Sequence, residues 1–184
     1  MGTLQIGLLL VCISFMLFIV YNSVAIGFFG IPWSMSKTYY LYEEKKKGLG
    51  WVFTAFMWLM AFTMIPGWII VSEAVGPWMS YLTFLAFITG VCIAFVGTAP
   101  RYREETEGMV HMTAAKICAV TALLWDFLVC WNIWWVPLCG MVIPAIVGAC
   151  TKTWKECRDY WLEMLAFDAT FATIIFEFIV QILK

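Results

Sequence analysis

Residues Thr3–Ile26 read TLQIGLLLVCISFMLFIVYNSVAI, a run without one charged side chain. A helix rises about 1.5 Å per residue, so roughly 20 apolar residues cross a hydrocarbon core about 30 Å thick. The run is long enough to span a bilayer. No basic stretch precedes it and no clear small-residue cleavage site follows it. It reads as a retained helix and not as a removed signal peptide.

The rest of the chain repeats this pattern. Further apolar segments fall at about Trp51–Ser72, Pro77–Thr98, His111–Trp131, Trp135–Cys150 and Tyr160–Leu183. The expected fold is all-α: a polytopic transmembrane helical bundle of six spanning helices in a single domain, residues 1–184. Very short connections make segments two and three, and segments four and five, antiparallel hairpins. Composition agrees. Of 184 residues, 64% are hydrophobic, 18% aromatic and 12% charged, and mean hydropathy is +0.90. Soluble domains carry roughly 25% charged residues, so an ordinary soluble globule is excluded.

The basic residues set an orientation. Lys37, Lys45, Lys46, Lys47, Arg101, Arg103, Lys152, Lys155 and Arg158 all fall in the first, third and fifth connections. The positive-inside rule makes those connections cytoplasmic and puts both termini on the outer side. The first of them, residues 33–48, reads either as a short interfacial helix or as a solvated, membrane-hugging loop. A helix there takes Ser34 or Ser36 as its cap and Gly48 as its stop. Tyr39, Tyr40 and Tyr42 then serve as headgroup anchors, and Lys45–Lys47 suit an anionic leaflet at ~1 kcal/mol each.

Net charge is −1, which argues against nucleic acid as a partner. One histidine and no CxxC pair leave no basis for a Cys/His metal centre, and no cofactor is implied. No Ser-His-Asp order, phosphate loop or HExxH run is present, so no catalytic residue is assigned. Cys130 and Cys139 flank an outer turn, either as a disulfide or as free thiols.

Ionisable residues inside spans are site hypotheses by default. Asp126 and Glu177 reach the outer third of their segments, and Glu73 lies at the outer edge. Trp68, Trp78, Trp125, Trp131, Trp134 and Trp135 share that layer. Acids beside aromatic faces suit a cationic ligand or protons, so Asp126, Glu177, Glu73 and Trp125 form a candidate ligand site. For the tryptophans taken alone, an aromatic belt is the simpler account. Lys116 and Asp168 lie at matching depth and are expected to form an intramembrane ion pair that fixes helix register. Glu163, Thr170, Thr173, Glu177 and Gln181 share one stripe of the last segment, which lines a cavity or packs against protein. Pro66 and Pro144 mark kinks or, in inverted halves, a broken-helix transport site.

The stretches Pro32-Trp-Ser34-Met-Ser36-Lys-Thr38-Tyr39-Tyr40 and Phe95-Val-Gly97-Thr-Ala-Pro100-Arg-Tyr102, with His111 opening the fourth segment, resemble a group of six-helix bacterial integral membrane proteins. The resemblance covers roughly residues 30–125. It implies a bacterial plasma membrane and a six-helix bundle. It also implies that Ser34, Ser36, Tyr39, Tyr40 and His111 act together as a polar cluster at the cytoplasmic face.

The expected function is binding or transport of a small cationic or amphiphilic ligand, or of protons. Two other readings stay open. One is a structural protein that packs with itself or with another membrane partner, and the other is a lipid-modifying enzyme working at the cytoplasmic face. The expected partners are the lipid bilayer, a small-molecule or lipid ligand and a second copy of the chain.

Overall fold

The computed structural model describes residues 2–151 and 156–184, and the connection that holds Lys152 and Lys155 lies outside them. The described residues are helical, with no strand. The helices are α1 (Thr3–Phe29), α2 (Lys37–Lys45), α3 (Trp51–Val75), α4 (Thr83–Thr98), α5 (Glu105–Val129), α6 (Trp135–Cys150) and α7 (Arg158–Leu183). A 3-10 turn, Met79–Leu82, leads into α4. Five helices are long and apolar enough to cross a membrane, counting the 3-10 turn with α4, and α6 is a shorter apolar sixth.

These sequences form helices that are apolar on every face, which is the pattern of a membrane bundle. Along α1, Val11, Phe18 and Ala25 are buried at seven-residue intervals while Leu9, Met16 and Val24 are exposed. The exposed apolar residues would be costly in water but suit lipid. Helix α3 is the centre of the bundle, packed between α1 and α4 and burying Phe53, Met57, Met60, Met64 and Trp68. Helix α5 lies along α4, α6 lies along α7, and α7 returns against α1.

Glycines let the helices approach closely. A Cβ on Gly67 would lie 2.5 Å from a Val11 methyl and 3.1 Å from the Gly7 carbonyl oxygen. One on Gly140 would lie 2.6 Å from the Leu165 carbonyl oxygen.

Several helices are longer than expected from hydropathy. Helix α5 begins at Glu105 and not near His111, because Glu105 and Glu107 sit favourably in a helix's first turn. Pro66 and Pro144 break nothing, since α3 and α6 run through them. Proline is tolerated in a membrane helix where neighbours re-satisfy the freed backbone.

Helix α5 meets α6 and α7 at only a few places. The space between them is not filled by side chains, and the candidate site lies there.

Candidate functional site

The site is built on residues 33–36, between α1 and α2. The segment is polar by sequence, yet Ser34, Met35 and Ser36 are all buried. Other helices tie it down. The Tyr160 N–H donates to the Trp33 carbonyl at 2.8 Å, and the Met35 N–H donates to Glu163 Oε2 at 2.6 Å. Thr38 Oγ1 donates to the Met35 carbonyl at 2.6 Å and also bonds the Tyr21 hydroxyl. Residues 34–36 therefore dip into the bundle while Trp33 stays exposed, so the expectation of a solvated, membrane-hugging loop fails for those three. The surrounding helices supply the hydrogen bonds that water would otherwise give.

Helix α2 follows as a nine-residue helix with Ser36 at the position before its first residue. Ser36 makes no capping bond. The capping task falls to Ser34, whose Oγ accepts the Lys37 N–H at 3.2 Å. The Ser36 hydroxyl instead lies 2.9 Å from His111 Nε2. The other ring nitrogen, Nδ1, is 3.0 Å from the Ala99 carbonyl oxygen. A carbonyl only accepts, so Nδ1 carries a proton. In the neutral ring Nε2 is then a lone-pair acceptor, and Ser36 is the donor. Both residues are buried, at 7% and 5% exposure.

Ser36 and His111 line a cavity of about 310 Å³. Its walls come from α3, α4, α5, α6 and α7 and are mostly apolar, including Met64, Ile93, Phe167 and Phe171. Its polar side chains are Ser36, Thr89, His111, Lys116, Glu163 and Thr170. A pocket with mainly apolar walls and a few convergent polar groups is the usual form of a small-molecule site, about 300–1,000 Å³ in volume.

The opposite end of the bundle holds the expected acidic site. Trp125 is buried, stacks on Trp68 at 4.5 Å and donates Nε1–H to Ser72 Oγ at 2.8 Å. Asp126 is 0% exposed, and neither oxygen has a hydrogen-bond partner among the described residues. Thr170 turns toward it from α7. Glu177 is buried and accepts a bond from Gln181 Nε2 at 2.6 Å. The Cys130 thiol lies within electrostatic reach of both acids. Asp126, Glu177 and Trp125 are thus brought near one another, but Glu73 is exposed and does not join them. None of the four lines the cavity, although Trp68 and Thr170 do. Trp78, Trp131 and Trp135 are exposed, as a belt requires.

Other expectations need correction. Lys116 and Asp168 form no ion pair. Lys116 is exposed on the cavity side of α5, and Asp168 is half-buried on α7. The cavity separates the two helices where the pair would have to close. Tyr40 is a tether more than a headgroup anchor, because its hydroxyl accepts the Arg103 N–H at 3.0 Å. Tyr39 covers Gly50 and does not reach the cavity. The α7 stripe divides, with Glu163 and Thr170 lining the cavity and Thr173 bonded back to Ala169. Cys130 and Cys139 are free thiols.

The contact of Ser36 with His111 and the closure by Glu163 were not readable from spacing alone. Ser36 lies in the segment before α2 and His111 on α5, 75 positions apart. The signal that existed was a lone histidine in a chain with so few polar residues.

Compared with protein-family models, with curated proteins and with solved structures, the chain matches none of them.

Proposed function

We propose that this chain is a multi-pass protein of a bacterial plasma membrane that binds a small amphiphile in the cavity between α5 and α7. The observation that carries the reading is the cavity's uneven lining. Ser36, His111 and Glu163 gather at one end, and Met64, Ile93, Phe167 and Phe171 supply apolar walls. A polar head would bond the first group and an alkyl tail would lie along the second. This places the ligand away from Asp126, Glu177 and Glu73. In this reading α6 is the sixth span, and the α2 end of the bundle faces the cytoplasm.

The test compares the wild-type protein with an Ala166→Trp variant, whose side chain would fill the cavity. Both are purified in detergent and heated with a fatty acid, a lysophospholipid or an alkyltrimethylammonium salt. Saturating one of these probes at 100 times its Kd should stabilise the wild type by about 2.7 kcal/mol. The filled variant should not respond. Equal shifts in both proteins would remove the cavity as the binding site.

A further inference from the structure

We infer that Ser36 and His111 form a nucleophile–base dyad that cleaves carboxylic esters of amphiphiles. The inference rests on the cavity being the binding site and adds a reaction to it.

A serine hydroxyl is a weak nucleophile until a base stands within hydrogen-bond reach and is itself held in place by a third group. All three parts are present. Ser36 Oγ is 2.9 Å from His111 Nε2. The Ala99 carbonyl, 3.0 Å from Nδ1, holds the ring in the tautomer whose Nε2 can take a proton. Glu163 is a positioning residue, since its carboxylate accepts the Met35 N–H at 2.6 Å and fixes the backbone next to Ser36.

The placement of Ser36 supports this role independently. A serine before the first residue of a helix ordinarily caps it. Here Ser34 accepts the first-turn N–H and leaves the Ser36 hydroxyl for the histidine. The positive end of the α2 dipole also lies at Ser36, where a tetrahedral adduct would develop negative charge.

The reaction balances without a cofactor. Ser36 Oγ bonds to the ester's carbonyl carbon as its proton passes to His111 Nε2. The adduct collapses, the bond from carbon to the alcohol oxygen breaks, and Nε2–H protonates the departing alkoxide. A water molecule then gives a proton to Nε2 and bonds to the carbonyl carbon of the Ser36 ester, the bond from that carbon to Ser36 Oγ breaks, and Nε2–H returns its proton to Oγ. The products are a carboxylic acid and an alcohol, and the serine hydroxyl is restored.

The experiment uses the full-length protein in detergent with a fluorescent alkyl fluorophosphonate. This probe loses fluoride as it bonds an activated serine. Peptide mass spectrometry should place the label on Ser36. Labelling should vanish in Ser36→Ala and fall about 10²–10⁴-fold in His111→Ala. In the wild type the labelling rate should rise with pH through one titration step as the imidazole loses its proton, a readout that needs no variant to fold. A wild-type protein that shows the cavity-dependent thermal shift yet takes no label at Ser36 would overturn the dyad and leave the binding reading standing. Labelling that is unchanged in His111→Ala would also overturn it. Label at Ser36 without any thermal shift from the amphiphile series would support the dyad while removing the binding reading.

Discussion

Single side chains at the two ends of the bundle are satisfied to different degrees. Trp125 has its one donor paired with Ser72 at 2.8 Å. Replacing it by Phe keeps most of the stacking on Trp68 and leaves the Ser72 hydroxyl without this donor. The expected loss is about 0.5–1.5 kcal/mol in chemical unfolding, the net worth of one hydrogen bond. Asp126 is the opposite case, buried with neither oxygen bonded among the described residues. A buried polar group without partners costs roughly 1–3 kcal/mol, so Asp126→Leu should raise the unfolding midpoint. A lower midpoint would mean that the carboxyl has a stabilising partner. Asp126 stood out in the sequence because an acid within a span is rare. The resemblance grouped Ser36 with His111 among five residues, but nothing local marks which serine the distant histidine meets. Ser36 took a capping position in the sequence reading and gave up the capping role in the fold.

Between elements, the decisive contacts are backbone to backbone. Gly140→Ala would press a methyl against the Leu165 carbonyl, and backbone has no rotamer to move aside. Overpacking of this kind costs about 1–3 kcal/mol, read as a lower thermal midpoint. Gly27→Ala is the control, since its methyl would meet nothing within 4 Å. The expected change there is small. The loop after α2 responds to pH. Glu43, outside the spanning segments, accepts the Gly48 N–H at 2.9 Å and the Gly50 N–H at 2.7 Å. These two donors hold its carboxyl below the ordinary value of 4.5. A lowered folded-state pKa gives stability that is present above the unfolded value and lost as pH falls through the folded one. Hydrogen-exchange protection at Gly48 and Gly50 should therefore fall below about pH 4.5 in the wild type and stay flat in Glu43→Gln. The helices were legible as elements because hydropathy alone reports them. The start of α5 at Glu105 was not, because the acids of its first turn favour it over the hydropathy boundary.

At the scale of the whole molecule, the all-helical architecture and the α3–α4 hairpin follow from composition and connection length, whereas α6 packs along α7 and only slightly along α5, and the cavity follows from what fails to pack. No sequence pattern marks a place where α5 and α7 stand apart. The orientation is testable by fusing a reporter to each terminus, both of which should be accessible from outside the cell. A reporter between Lys46 and Gly48 should be accessible only from inside. Helix α6 carries a last consequence. Its 16 residues rise only about 24 Å, against a core about 30 Å thick. With α6 as the proposed sixth span, lipids beside it would have to shorten or tilt to keep their headgroups level with its ends, and the bilayer would thin along this flank. Met141 of α6 lines the cavity, so that flank would adjoin the proposed binding site. In bilayers of 14-carbon chains the protein should unfold at a higher temperature than in bilayers of 18-carbon chains, a mismatch cost on the order of tenths of a kcal/mol per Å. An unchanged midpoint across the series would mean that α6 does not set the local thickness.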